Sequence, residues 1–154
     1  MKKPILFLLL TLGLFSCNNV VEQESASDAI QKLEFKTIKE YVNDNDFISV
    51  IPEVYGSQLS RSSSKEELKD LENQMVAATY RFYKNCTQDD KGRITCHITC
   101  GKDINISEEL FQRKLKDIQE TNQFVEKHLK AGTKYRVGKI DENYLNGLLN
   151  YEAK

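Results

Sequence analysis

Ser107 opens the segment that most constrains this chain. It is a good N-cap residue, and Glu108 and Glu109 follow in the first turn, where the helix dipole favours acids. Phe111, Leu115, Ile118, Val125 and Leu129 then make an apolar stripe that runs to Gly132, a natural helix stop. A helix of about 25 residues is close to 40 Å long. Its stripe must be covered by something, so the fold is organised around it. Asn122 interrupts the stripe in a heptad-like position. A sustained coiled coil needs three or four heptads, so the stripe is read as one core-facing helix. A partner seam with Asn122 fixing register is the alternative.

What precedes the helix reads as a β-hairpin. Tyr80 to Thr87 leads to Asp89-Asp90-Lys91-Gly92, and Arg93 to Cys100 returns. On the return strand Ile94, Cys96, Ile98 and Cys100 face one way, and Arg93, Thr95, His97 and Thr99 the other. That period and the β-branched residues mark a half-buried strand. Three-residue hairpin loops commonly end on a glycine in the left-handed conformation. Asp90-Lys91-Gly92 as the loop sets Thr87 against Thr95 and Cys86 against Cys96. Directly opposed residues lie within the Cα separation a disulfide tolerates. A Cys86–Cys96 cross-link is therefore expected, with Cys100 opposing Phe82 as a buried, inert thiol.

The other elements are helical. Ser64-Lys65-Glu66-Glu67 is a capping box, followed by Leu68, Leu71, Met75 and Ala78 at helical spacing. Ser27 or Asp28 caps an earlier helix carrying Ile30, Leu33, Ile38, Tyr41 and Val42, ended by Asn43-Asp44-Asn45-Asp46. That polar cluster lacks the glycine and the twelfth-position acid of a calcium loop. Phe47 to Ile51 is strand or buried helix, and Gly56 to Ser64 is a serine-rich loop. Thr133 to Ile140 reads as a third strand. Asp141 caps a last helix bearing Tyr144, Leu145, Leu148 and Leu149. The expected class is α+β: helices packed on a small antiparallel sheet built around one hairpin.

The first 17 residues address the chain. Lys2 and Lys3 precede the apolar run Ile5-Leu6-Phe7-Leu8-Leu9-Leu10, the layout of a secretory signal peptide and too short to span a bilayer. Leu14-Phe15-Ser16-Cys17 resembles the lipobox of bacterial lipoproteins. The resemblance implies cleavage before Cys17, a diacylglycerol on its sulfur and an acylated (palmitate-type) new N-terminus. An ordinary signal peptide cut elsewhere is the alternative. Asn18 in place of aspartate favours the outer membrane within that family, and Glu22, Glu24 and Asp28 fit a surface-export signal. The organisation expected is a signal peptide at 1–16, a lipidated cysteine and polar tether at 17–27, and one domain at 28–154. Ten extended tether residues reach at most about 35 Å.

Composition excludes more than it selects. Without residues 1–16 the chain has 138 residues with 20 basic and 23 acidic side chains, net −3. That is one domain with room for a core, and a charge that implies no nucleic-acid partner. Cys96-His97-Ile98-Thr99-Cys100 is not C-x-x-C and has no βαβ context. A zinc site from three cysteines and His97 is disfavoured, because His97 points away from Cys96 and an oxidising compartment favours disulfides. No G-x-S-x-G motif and no phosphate-binding glycine loop is present. His128 reads as a solvated residue near a helix end. No enzyme, cofactor or metal is expected.

The function expected is a lipid-anchored envelope protein, of inhibitor, immunity or accessory-subunit type, that binds a protein partner. Its first candidate patch is the hairpin face with Arg81, Tyr83, Arg93, Thr95 and His97, since tyrosine and arginine are enriched in hot spots. A small-molecule carrier with an apolar pocket between sheet and long helix is the alternative.

Overall fold

The hairpin and the long helix meet as expected in a computed structural model, which describes residues 35–49 and 64–152. Elements expected on residues 1–34, 50–63 and 153–154 lie outside these, among them Cys17, the cap at Ser27 or Asp28 and the helical positions Ile30 and Leu33. The described residues hold helices α1 (Ile38–Asp44), α2 (Lys65–Tyr83), α3 (Glu108–Ala131) and α4 (Glu142–Leu149). They also hold strands β1 (Cys86–Gln88) and β2 (Ile94–Cys96) and a 3₁₀ turn, Gly101–Ile104. The class is α+β.

Each helix starts where side chains satisfy its free N–H groups. Ser64 Oγ accepts from Glu67 N while the Glu67 carboxylate accepts from Ser64 N at 2.7 Å. Thr37 and Glu40 repeat this reciprocal pair at α1. Ser107 accepts from Leu110 N, and Asp141 from Tyr144 N. At the other ends, Asn45 (φ 60°) and Gly132 (φ 63°) terminate α1 and α3 in the left-handed conformation.

The hairpin register is Cys86 with Cys96, Thr87 with Thr95 and Gln88 with Ile94. Its loop is Asp90-Lys91-Gly92, with Gly92 at φ +89°. A Cβ on Gly92 would lie 2.3 Å from Val137 Cγ2, so both backbone conformation and space require glycine there. The alternation expected from Arg93 to Cys100 holds: residues 94, 96, 98 and 100 are buried or half-buried, and 93, 95, 97 and 99 exposed.

Four expectations are corrected. The helix expected from Ser27 or Asp28 through Val42 is not continuous: residues 35–37 are not helical, and α1 starts at Ile38 on its own cap, Thr37. Tyr80 to Tyr83 is the last turn of α2, not strand. Asn73, Ala77, Ala78, Arg81 and Phe82 are buried along one face of that helix, and this packing overrides the strand preference of Tyr80, Phe82 and Tyr83. Phe82 stacks edge-on against Phe111 at 5.8 Å, joining α2 to α3. The return strand stops at Cys96. Cys100 precedes the 3₁₀ turn, is half-buried and does not oppose Phe82. Thr133 to Ile140 forms no ladder; the segment is an irregular strap across the hairpin end.

The short run before Pro52 has one ordered role. Ile48, fully buried, makes a parallel bridge with Ile106: Ile48 N donates to Asn105 O, and Ser107 N to Ile48 O at 2.8 Å. The stretch after α1 is thereby tied to the start of the long helix. The core joins Ile38 and Ile48 to Ala77, Ala78 and Phe82 of α2, Ile94 of β2, Ile104 and Ile106, and Leu110, Phe111 and Ile118 of α3.

Candidate binding surface

Arg81 is the first candidate position, and it is not at the surface. Only 6% of it is exposed. Its Nη1 donates to the carbonyls of Asp46 (2.6 Å) and Asn105 (3.1 Å), and its Nη2 to that of Tyr41. Those carbonyls belong to the C-terminal end of α1, the stretch after it, and the end of the 3₁₀ turn. Cations are favoured where helix carbonyls are left over. Burial pushes the Arg81 pKa down, with the Asp46 charge opposing. Arg81 is a structural staple. Tyr83 is half-buried, edge-on to Phe82 and to Tyr144 of α4 at 5.7 Å, and burial pushes its phenol up to about 12. Both residues leave the hairpin patch because a helix, not a strand, carries them.

Arg93, Thr95 and His97 remain exposed on the hairpin. His97 Nε2 and Thr87 Oγ1 share a hydrogen bond of 2.8 Å across the strands. Arg93 is engaged: its Nε donates to Asp89 at 2.7 Å and its Nη1 to Glu126 of α3 at 3.2 Å. These exposed pairs contribute little stability, but they fix the rim of the patch.

Asn122 does not mark a coiled-coil seam. Its Oδ1 accepts from Ile94 N at 2.8 Å and its Nδ2 donates to Ile94 O at 2.8 Å. One amide thus closes the outer edge of β2, which would otherwise offer unpaired backbone groups. Gln88 ties the strap by the same device. Its Nε2 donates to Gly138 O at 2.9 Å and its Oε1 accepts from Ile140 N at 3.0 Å. Near the hairpin turn, Val125 and the strap's Val137 are the side chains a Cβ on Gly92 would meet, and Asn122 bridges the long helix to β2. Asn122→Asp is expected to lower stability by about 2–3 kcal/mol, because a carboxylate cannot donate to Ile94 O and faces it with like charge. Urea unfolding measures this. A change below about 0.5 kcal/mol, the range of ordinary surface substitutions, would show that the edge cap is energetically idle.

A second exposed surface lies where the sequence pattern suggested a strand. From Lys127 to Ile140 the chain carries five cations (Lys127, Lys130, Lys134, Arg136 and Lys139) and no acid. All five are exposed, and none makes an ion pair among the described residues. They line the last turns of α3 and the strap. Among them Phe124, 44% exposed, stacks on His128 at 4.3 Å, and both rings contact Tyr135. Tyr135 donates its hydroxyl to Lys91 O at 2.7 Å, which brings the hairpin turn into the same surface. His128 Nδ1 lies 2.7 Å from Thr133 Oγ1. A strand reading of 133–140 hides this surface; counting charge along the sequence exposes it.

Among the described residues no three of His, Cys, Asp and Glu come together as metal ligands, and no helix is long and apolar enough to cross a membrane. Asp44 and Asp46 of the polar cluster after α1 both accept from Lys36, at 2.8 and 2.5 Å. No protein-family model, curated protein or solved structure matches the chain.

Proposed function

We propose that the chain is a lipid-anchored protein of the bacterial cell envelope that acts by binding another protein, without catalysis. Cys17 is the acylated residue in this reading. The partner is held through the outward hairpin face, with Thr95 and His97 at its centre and Arg93 at its rim. The observation that carries the binding role is that this face is left uncovered by every described helix while the opposite face is packed. The lipobox resemblance of Leu14-Phe15-Ser16-Cys17 supplies the anchor, and Asn18 in place of aspartate favours the outer membrane within that family.

Capture from intact envelopes tests both halves separately. Cys17→Ala is expected to abolish acylation, read by mass spectrometry, and to release the chain from the membrane fraction. The double variant Thr95→Ala/His97→Ala is expected to keep its anchor and its melting temperature. It should lose partner recovery roughly tenfold, as removal of central interface side chains does. Undiminished recovery by that variant would remove the hairpin face from the account.

A further inference from the structure

We infer that the cationic end of the molecule, formed by the last turns of α3 and the strap, seats on an anionic phospholipid bilayer. The inference rests on the anchored reading above, because an acyl chain on Cys17 holds this surface beside a membrane.

Charge complementarity carries it. The surface from the hairpin turn through Asp141 contains Lys91, Arg93 and the five cations of 127–139 against four carboxylates, Asp89, Asp90, Glu126 and Asp141. Asp89 and Glu126 are taken by Arg93. The whole chain has a net charge of −1, so the positive charge is local. Its cations sit on a helix end and an irregular strap and do not ring a deep pocket. The cleft beside Lys91, Arg136 and Lys139 is open and also lined by Asp90 and Asp141. A dispersed set of lysines suits a fluid array of headgroups, which rearranges to meet them. An acidic protein would instead need fixed partners at matching spacing.

The apolar side chains agree. Phe124 and Leu129 are exposed among the lysines, and Tyr135 is half-buried with its hydroxyl engaged. Aromatic and aliphatic tips flanked by Lys and Arg are the composition of surfaces that lie in the headgroup region. Chain length permits the contact. The ten tether residues expected at 18–27 reach at most about 35 Å, comparable to the width expected for a domain this size, so an acyl chain on Cys17 keeps the body at the high effective concentration a short tether gives.

Amide hydrogen exchange on the full chain, purified as the cell processes it, tests the seat. The chain is mixed with vesicles containing phosphatidylglycerol, or with vesicles of phosphatidylcholine alone. Exchange is followed at residues 124–139, with α2 as an internal reference. Slowed exchange on the phosphatidylglycerol vesicles only, reversed by high salt, is expected. The triple variant Lys134→Gln/Arg136→Gln/Lys139→Gln should keep the exchange pattern of α2 and lose the protection. Each cation near an anionic surface is worth roughly fivefold in partitioning, so three together weaken the contact on the order of a hundredfold. Equal protection on both lipids, protection on neither, or protection that needs an added acidic protein would each overturn the bilayer assignment. Mass spectrometry of Cys17 in the same preparation separates the two readings. An acylated chain without protection removes the seat alone, and protection of an unacylated chain removes the anchor alone.

Discussion

Arg81→Leu is expected to lower folding stability by about 4 kcal/mol, at the upper end of what a single substitution does. Leucine fills much of the volume but supplies no donors. The carbonyls of Tyr41 and Asp46 would then lie at or near the interior without partners, and that of Asn105 would keep only Ile48 N. A buried acceptor left unsatisfied costs about 1–3 kcal/mol, and water entering from the Asp46 side recovers part of that. The loss spreads beyond one contact. Arg81 holds the end of α1 and the end of the 3₁₀ turn, the two segments that the Ile48–Ile106 bridge joins. Their loosening would uncover Ile48 and Ile106, both fully buried. Arg81→Lys tests the mechanism. It keeps the charge but replaces a planar fork with one nitrogen, and should recover less than half the loss. Urea unfolding of both variants measures the effect. If each lies within about 1 kcal/mol of wild type, the guanidinium is not what joins these segments.

The sequence is informative about Arg81 only once the helix is known. In the alternating reading, Arg81 and Tyr83 fall on the outward face of a strand. In the helical reading, Arg81 falls on the same face as Asn73, Ala77 and Phe82. Local preference over Tyr80–Tyr83 favours strand, and the deciding interaction is Phe82 against Phe111, 29 residues away in sequence. Where the signal is local, the reading holds. The capping boxes, the left-handed stop at Gly132 and the hairpin register through Gly92 depend on residues within a few positions of one another. The strap shows the other limit. Tyr135 and Val137 alternate with exposed residues as a strand would. Yet its attachment runs through the Gln88 side chain in place of a backbone ladder, and no periodicity announces that. The cationic surface is legible without a structure, since charge can be counted along 127–140; a strand pattern over the same residues masks it.

That Asn122 and Gln88 act alike explains how so small a sheet persists. A two-stranded hairpin is marginal alone in water. Here β2 is closed on its outer side by one amide, and the strap is pinned to β1 by another. Val125 and Val137 press on Gly92 from the helix and strap. The sheet needs no further strands because side-chain amides imitate the backbone of the strands it lacks. The same arrangement leaves the opposite face, with Thr87, Thr95 and His97, exposed.

Oxidation is expected to join Cys86 to Cys96 and to raise stability by roughly 2–3 kcal/mol through loss of unfolded-chain entropy. The structure holds Cys86, Cys96 and Cys100 as free thiols. His97 N donates to Asn85 O, and Asp89 N to Arg93 O. The alternation of an antiparallel ladder then makes Cys86 and Cys96 a non-hydrogen-bonded pair, whose side chains come closest. The Cys86 thiol donates to Phe82 O at 3.4 Å and the Cys96 thiol to Ile98 O at 3.6 Å, and burial first, with the neighbouring Cys96 second, pushes the Cys86 pKa up to about 12. One thiol of the pair, losing its proton, attacks an external disulfide and forms a mixed disulfide. The other, giving up its proton, then displaces the external thiol. Two electrons pass to the external disulfide, which leaves as two thiols. Reversible unfolding with and without a thiol reductant should separate wild type by the full 2–3 kcal/mol. Cys86→Ser should show no dependence on reductant, and Cys100→Ser should keep it. Peptide mapping that finds Cys100 in the bond would overturn the pairing, because the backbone leaves the hairpin after Cys96 and carries Cys100 into the 3₁₀ turn.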